Sequence, residues 1–163
     1  MTHHRPGLRL LFLPFLLLLP SLSAAQSLSV GTVTARPGEK VSGWLEVPAA
    51  ADEGTRIPVT VVHGARSGPV LALVAGTHGY EYTSILALQR LLPRLDPGRM
   101  SGSAILVHMA CPPTFYGRRI YYGPDGKNLN RMYPGRPDGT VSERMAHALT
   151  RERLRGAEYG RAH

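Results

Sequence analysis

Two apolar segments on either side of an amphipathic segment constrain the fold of this chain more than any other feature of its sequence. PVLALVAG (residues 69–76) and SAILVHMA (residues 103–110) are apolar almost throughout, as strands covered on both faces of a sheet are. Between them, residues 82–95 repeat apolar side chains at helical spacing before Pro93 and a DPG turn end the pattern. Strand, helix and strand predict a βαβ unit, with residues 69–76 central in the sheet.

The flanking segments extend this unit into an α/β domain. Residues 28–47 alternate apolar and polar side chains around a Pro-Gly turn, which predicts two short strands, and RIPVTVVHG predicts another. The sequence TVSERMAHALTRERL predicts a helix capped by Thr140 or Ser142. We therefore expect a mixed β-sheet with flanking helices. Residues 111–138 show no periodicity, and a loop of this length in a compact domain is more often functional than filler.

The first 25 residues have the features of a secretory signal peptide. A short basic segment precedes an apolar run, and SLSAA supplies small residues for cleavage near Ala25. The run is short for a membrane span and is interrupted by Pro14 and Pro20, although an uncleaved anchor is the alternative. We expect an exported protein, periplasmic or secreted, with no stable membrane anchor after cleavage and with one domain over residues 26–163.

Charge and cysteine content exclude some classes of protein. The formal net charge of +8 would suit an acidic partner. The basic residues are not interleaved with aromatic ones as they are in proteins that bind single-stranded nucleic acid, so we expect no nucleic-acid partner. Cys111 is the only cysteine, so no intramolecular disulfide can form and the hydrophobic core must supply the stability. We interpret Cys111 as a buried thiol rather than a nucleophile.

A histidine and a glutamate three residues apart follow the first apolar segment, in AGTHGYE. Imidazole nitrogen and carboxylate oxygen are both good zinc ligands, and Gly76 and Gly79 give the backbone freedom to direct His78 and Glu81 at one ion. Open α/β sheets also bind ligands beyond the carboxyl ends of their strands. By itself His-x-x-Glu is a weak signal, and an ordinary polar turn is the alternative.

A second cluster of polar residues lies in RRIYYGPDGKNLNRMYPG. Arg118, Arg119, Asn130 and Arg131 carry planar donor groups that can bind a carboxylate or polarise a carbonyl group. From these residues alone, a solvated arginine-rich loop with a turn at Asp125 is the alternative.

Taken together, these segments resemble the succinylglutamate desuccinylase and aspartoacylase family, a branch of the zinc carboxypeptidase-like superfamily. The resemblance extends from IPVTVVHGARSGPVLALVAGTHGYE through DGKNLNRMYPG to SERMAHAL. The family's Gly-x-His-Gly-x-Glu motif implies that His78 and Glu81 are the first two ligands of a Zn²⁺ cofactor. Its Asn-Leu-Asn-Arg-x-x-Pro-Gly motif implies that Asn130 and Arg131 bind the carboxylate of a small-molecule substrate. The arginine that polarises the scissile carbonyl falls on Arg119, with Arg118 as the alternative.

The resemblance implies a zinc-dependent hydrolase of amide or ester bonds in N-acyl amino acid-like or peptide-like substrates. Such a site needs three protein ligands and an open position for water. The family takes its third ligand from an Asp-x-His motif after the SERMAHAL helix and its catalytic glutamate from much later, whereas this sequence ends in GRAH and leaves only His163 as a candidate. We therefore expect a zinc carboxypeptidase-like domain that is incomplete at its C-terminus and weakly active or inactive. A non-catalytic exported metal- or carboxylate-binding module is the alternative.

Overall fold

A computed structural model describes the backbone of residues 26–156 and the side chains of residues 26–151. The predicted signal peptide, residues 1–25, and the candidate ligand His163 lie outside the described residues. The strands are β1 (Leu28–Val30), β2 (Val33–Ala35), β3 (Glu39–Val47), β4 (Thr55–His63), β5 (Arg66–Val74) and β6 (Ser101–Val107). The helices are α1 (Tyr82–Leu91), α2 (Pro112–Tyr116) and α3 (Val141–Gly156), with 3₁₀ turns at Leu92–Arg94 and Leu129–Arg131. None of these helices is long and apolar enough to cross a membrane.

Four of the strands form one mixed sheet in the order β3-β4-β6-β5. The pairs β3–β4 and β4–β6 are antiparallel, while β5 and β6 are parallel. A parallel pair needs a long crossover connection, and α1 lies within it. β5, α1 and β6 therefore form the βαβ unit predicted from the sequence. β1 and β2 pair with each other as a separate antiparallel hairpin.

The sheet packs against other elements on both faces, as β6 illustrates. Its alternate residues belong to two different hydrophobic clusters, since neighbouring side chains of a strand point to opposite faces. One cluster includes residues of the β1–β2 hairpin together with Met145 and Leu149 of α3. The other includes Ile85 and Leu88 of α1. The mixed sheet with flanking helices and the apolar faces of both long helices are thus confirmed.

The position of β5 corrects the prediction that residues 69–76 are central in the sheet. Among residues 26–156, β6 is the one strand that pairs with β5, so β5 forms an edge of the sheet. Most of its apolar residues are only half-buried, and Leu71 is 57% exposed. In a sequence, apolar residues on both faces of a strand predict that other elements cover both faces of the sheet. They do not predict whether both edges of the strand are paired.

Two segments contain more regular structure than their sequences predict. Residues 28–47 form three strands rather than two, because a tight turn at Gly31, with φ of 57°, separates β1 from β2. Residues 111–138 contain α2 and a 3₁₀ turn, which are too short to produce a recognisable helical period. Cys111 precedes α2 and is 1% exposed, as expected for a buried thiol, and burial raises its pKa.

Candidate metal centre

The candidate site follows the carboxyl ends of the parallel strands β5 and β6. The backbone N–H of Ala110 donates to the carbonyl of Ala75 at 2.8 Å, and that of Cys111 donates to the carbonyl of Gly76 at 3.0 Å, so the two segments beyond these strands are joined. Gly76 has a φ of 65°, a conformation that side chains with a Cβ seldom adopt. The chain can therefore turn at Gly76 directly after the strand.

This turn brings His78 and Glu81 into contact. Nδ1 of His78 lies 2.7 Å from Oε1 of Glu81. The other carboxylate oxygen, Oε2, accepts a hydrogen bond of 2.8 Å from the backbone N–H of Thr77. Glu81 also precedes α1, and its carbonyl accepts from the N–H of Ile85 and from the hydroxyl of Ser84. The backbone and side chain of Glu81 are therefore both held, and one carboxylate oxygen is directed at the imidazole.

The second nitrogen of His78 contacts Asn128, which sequence analysis did not select as a site residue. Nε2 lies 3.1 Å from Oδ1 of Asn128. The backbone N–H of Asn130 donates to the same atom at 2.9 Å. Because an N–H group can donate only to an acceptor, this bond establishes that the oxygen end of the amide faces the ring. Nε2 must then be the donor, and Nδ1, next to Glu81, is the nitrogen that a metal ion would bind in place of a hydrogen.

Nδ1 of His78 and Oε1 of Glu81 form a donor pair that suits zinc. Two ligand atoms of a tetrahedral zinc ion lie about 3.4 Å apart, so the observed pair needs to separate by less than about 1 Å to hold one. Within the described side chains, residues 26–151, no third His, Cys, Asp or Glu completes a metal-binding group. The pair can thus supply two of the three protein ligands of a hydrolytic zinc site.

Gly79 brings the arginine-rich segment against the turn that contains His78. The N–H of Gly79 donates to the carbonyl of Ile120 at 3.1 Å, and a Cβ at Gly79 would overlap the carbonyl oxygen of Arg119. The ring of Tyr121 meets the ring of His78 edge-on, with 5.2 Å between their centroids. The backbone around Arg119 is therefore fixed beside His78, and the close approach depends on the missing side chain of Gly79.

The side chains of the predicted substrate-binding arginines are exposed. Arg119 and the alternative Arg118 extend from this fixed segment, and Arg131 follows Asn130 on the 3₁₀ turn that begins next to Asn128. Among the described residues, no carboxylate forms a salt bridge with any of these three guanidinium groups. The structure thus places the backbone of Arg119 near His78, and it places Asn130 near His78 through the bond to Asn128. Among the described residues, none of the three guanidinium groups forms a salt bridge with Glu81.

The loop that contains Asn128 is attached to the N-terminus of α3 through Asp125. Oδ1 of Asp125 accepts from the N–H of Lys127 at 3.2 Å and from the hydroxyl of Ser142 at 2.8 Å, while Oδ2 accepts from the N–H of Ser142 at 3.1 Å. Burial opposes ionisation of this carboxyl, but hydrogen bonds from Thr140 and Ser142 outweigh it, so the pKa of Asp125 lies below its ordinary value.

Glu143 makes a second attachment between α3 and this loop. Its Oε2 lies 2.9 Å from Nζ of Lys127 and accepts from both the N–H and the hydroxyl of Thr140. The hydrogen bond from Lys127, followed by that from the Thr140 N–H, lowers the pKa of Glu143 to about 2. The helix begins where the sequence predicts, and Thr140 occupies the predicted position directly before its first residue, but the side-chain acceptors at this end are different from those expected. The hydroxyls of Thr140 and Ser142 donate to carboxylates, and carboxylates accept the N–H groups of this helix end.

Known proteins resemble this chain in both sequence and structure. A model of the succinylglutamate desuccinylase/aspartoacylase catalytic domain matches residues 67–160. The N-alpha-acetyl-L-2,4-diaminobutyric acid deacetylase of Halomonas elongata is 42% identical over 113 residues, which are 67% of this chain and 33% of that protein. A crystal structure of an aspartoacylase family protein from Mesorhizobium loti superposes with a TM-score of 0.69 at 34% identity, over 83% of this chain and 42% of that chain. This chain therefore spans a third of the deacetylase and less than half of the solved protein.

A more distant solved structure bears on the fold alone. A metallo-carboxypeptidase from Pseudomonas aeruginosa superposes with a TM-score of 0.53 at 20% identity, over 63% of this chain and 29% of that one. The carboxypeptidase-like fold predicted from the sequence is thereby confirmed. The segment that matches the family model contains all the predicted site residues, which are His78, Glu81, Arg119, Asn130 and Arg131.

Proposed function

The chain belongs to the succinylglutamate desuccinylase/aspartoacylase family, and we propose that it forms part of a zinc-dependent site that hydrolyses the amide bond of an N-acyl amino acid. The observation that carries this proposal is the convergence of Nδ1 of His78 and Oε1 of Glu81 at 2.7 Å, with Nε2 of the same ring bonded to Asn128. The deacetylase of Halomonas elongata is named for an acylated amino acid, which supports this substrate class.

His78 and Glu81 would hold the zinc ion. When bound, zinc lowers the pKa of a coordinated water and polarises a carbonyl group. The bond from Nε2 of His78 to Asn128 keeps the hydrogen of the ring on Nε2, and the bond from Thr77 keeps the carboxylate of Glu81 turned toward Nδ1. The third protein ligand of the proposed site comes from outside the described side chains.

The exposed donors beside the turn would bind the substrate. We assign its carboxylate to Asn130 and Arg131 and the oxygen of its scissile carbonyl to Arg119, with Arg118 as the alternative for the second role. A guanidinium group offers two parallel donors to a carboxylate, which suits anchoring, and a fixed positive charge stabilises an oxyanion as it develops. The exposure of these side chains and the fixed backbone of Arg119 beside Gly79 support the assignment.

A non-catalytic metal- or carboxylate-binding module is a second candidate function. The presence of two ligand-type side chains, without a third among residues 26–151, favours it. In both cases we propose that residues 1–25 direct export and that the mature protein begins at about Gln26.

Zinc titration calorimetry on residues 26–163 tests the metal assignment. We expect weak binding of one ion, which His78→Ala and Glu81→Ala each remove, because neither remaining ligand can hold zinc alone. His147→Ala is the matched control, since His147 is also half-buried but lies on α3. Zinc binding by His78→Ala equal to that of the unaltered chain would refute the assignment.

A turnover assay shows whether residues 26–163 suffice for hydrolysis. We expect residues 26–163 to hydrolyse N-acetyl-2,4-diaminobutyrate and N-succinylglutamate negligibly, since loss of a general acid/base alone removes roughly 10²- to 10⁴-fold in rate. Enzyme-like rates that a chelator abolishes would show that residues 152–163 complete the site. The nucleotide sequence beyond the codon for His163, translated in all frames, is the complementary observation. An encoded Asp-x-His motif there favours the hydrolase, and its absence favours the binding module.

A further inference from the structure

The turn that precedes Asn128 is closed by several short-range hydrogen bonds. The N–H of Gly123 donates to the carbonyl of Lys127 at 2.8 Å, and the N–H of Gly126 donates to the carbonyl of Gly123 at 3.1 Å. Oδ1 of Asp125 accepts from the N–H of Lys127 within the same turn. The next residue is Asn128, which bonds to Nε2 of His78. The position of the Asn128 side chain therefore depends on where this turn lies.

The Asp125 carboxylate attaches that turn to α3, beside the salt bridge between Lys127 and Glu143. Asp125 accepts both the N–H and the hydroxyl of Ser142, which is 17 residues away and 0% exposed. The N–H of Ser142 is among the first of α3, where helix N–H groups lack partners within the helix and a negative charge is favourable. α3 is itself anchored in the core by Met145 and Leu149. The chain of contacts therefore runs from the core, through α3 and Asp125, to Asn128 and His78.

We propose that Asp125 is a positioning residue of the site, which fixes the turn before Asn128 on the N-terminus of α3 and thereby holds His78 in the orientation that presents Nδ1. This inference rests on the proposed metal binding by His78. Without the Asp125 carboxylate, the turn loses its hydrogen bonds from Lys127 and Ser142, Asn128 is less firmly placed, and the imidazole is free to rotate.

Asp52 provides a matched control within the same helix end. Its Oδ2 accepts the N–H of Val141, the residue before Ser142, at 3.0 Å. Asp52 lies in the connection between β3 and β4 and contacts Arg144, so it belongs to a different loop from Asn128. Asp52→Asn removes a negative charge and weakens the same helix end as Asp125→Asn, but it leaves the turn before Asn128 intact. A purely structural role predicts equal effects of the two substitutions on the site.

Zinc titration of folded Asp125→Asn and Asp52→Asn variants of residues 26–163 is the first test. We expect Asp125→Asn to weaken zinc binding about 10- to 100-fold, the usual effect of losing an outer-shell partner of a ligand, and Asp52→Asn to change it less than about twofold. If Asp125→Asn does not fold, Ser142→Ala replaces it. That substitution removes only the hydroxyl bond to Asp125, so a loss of severalfold is expected. Equal losses in the Asp125 and Asp52 variants, or no loss in the Asp125 or Ser142 variant, overturn the inference.

Nitrogen NMR of the His78 ring in the metal-free chain supplies a readout that lost stability alone does not change. We expect the ring signals of His78 to agree between the unaltered chain and Asp52→Asn, and to shift or broaden in Asp125→Asn because the ring is less firmly placed. An unchanged His78 ring in Asp125→Asn overturns the inference. His78→Ala separates the two proposals. If it binds zinc like the unaltered chain, the metal assignment fails. If it loses zinc while Asp125→Asn retains it, only the positioning role fails.

Discussion

The two halves of the candidate site differ in how firmly their side chains are held. In the ligand half, both ring nitrogens of His78 and both carboxylate oxygens of Glu81 have partners. In the guanidinium half, the side chains of Arg119 and Arg131 are exposed, and no carboxylate among the described residues pairs with either. A metal ligand must be held within about 0.5 Å of its working position. An arginine can bind the carboxylate of a substrate more readily when no carboxylate of the protein is already paired with its guanidinium group.

This difference has a simple structural origin. The ligand half consists of a turn closed on itself between Gly76 and Glu81 and then attached to Asn128 across 50 residues of sequence. The guanidinium half shares the same backbone, since Arg119 lies against Gly79 and Arg131 follows Asn130, yet its side chains are exposed. The protein therefore fixes the backbone of both halves but the side chains of only one.

Gly79→Ala should break the connection between the two halves and give the largest effect on stability. A Cβ at this position would overlap the backbone carbonyls of Arg119 and Thr114, which cannot rotate away as a side chain can. We expect the free energy of unfolding to fall by about 1–3 kcal/mol, the usual effect of overpacking, together with weaker zinc binding. Urea denaturation of residues 26–163 measures the first effect and zinc titration the second.

Gly98→Ala is the control for this substitution. A Cβ at Gly98 would meet only the carboxylate of Asp96, at 3.3 Å, so the side chain can move. A loss of stability in Gly98→Ala as large as that in Gly79→Ala would show that the close approach to Arg119 has no special role.

Asn128→Ala should weaken zinc binding by the ligand half, whereas Asn130→Ala in the guanidinium half should not. It removes the acceptor for Nε2 of His78, and we expect zinc binding to weaken about 10- to 100-fold. Asn130→Ala keeps the backbone N–H that bonds to Asn128 but loses the side chain assigned to substrate, so it should leave zinc binding unchanged. Titration calorimetry on both variants measures the difference. Equal losses of zinc affinity in the two variants would mean that Asn128 and Asn130 do not have separate roles in metal and substrate binding.

Local patterns in the sequence predict one part of this architecture and miss another. The βαβ unit and the faces of α1 and α3 follow from apolar spacing within single segments, and the glycines of AGTHGYE indicate a sharp turn. The edge position of β5 and the bond from His78 to Asn128 depend on pairings between distant segments, which no local period records. A local signal for Asn128 was its residue type, since an Asn side chain can accept from the backbone N–H two residues further along the chain.

The carboxylates that accept the first N–H groups of α3 were missed for a related reason. Thr140 and Ser142 are common helix caps, and the sequence alone gives no reason to prefer an acid from another loop. The carboxylates of Asp52 and Asp125, 89 and 17 residues away from the groups that they accept, take that role instead. A prediction from sequence can thus locate the start of the helix but not the loops that it organises.

Acid should weaken the attachment of the Asn128 loop to α3, which supports the ligand half, while leaving the charge of the guanidinium half unchanged. The pKa values of Glu143 and Asp125 are lowered in the folded chain, that of Glu143 to about 2 from an ordinary value of 4.5. A lowered pKa adds stability that is fully present above pH 4.5 and is lost as the pH falls toward 2. Guanidinium groups stay protonated throughout this range. Urea denaturation at a series of pH values should therefore show a decline that Glu143→Gln makes shallower, and an unaltered slope in that variant would contradict the attachment through Lys127.

Substitution of the exposed arginines should have the smallest effect on the stability of the fold and a clear effect on the kinetics of substrate hydrolysis. We expect Arg119→Ala and Arg131→Ala to change the free energy of unfolding by less than about 0.5 kcal/mol, as is usual for exposed side chains. The kinetic effects are measured in a longer polypeptide that hydrolyses substrate. There Arg131→Ala should mainly raise KM for carboxylate-bearing substrates. Arg131→Lys should raise KM as well, because a lysine cannot offer the two parallel donors of a guanidinium group. Arg119→Ala should mainly lower kcat, because charge develops on the carbonyl oxygen only in the transition state. Steady-state kinetics on an acidic substrate measures both effects. An unchanged KM in Arg131→Ala would show that Arg131 does not bind the carboxylate and that this segment is a solvated surface loop.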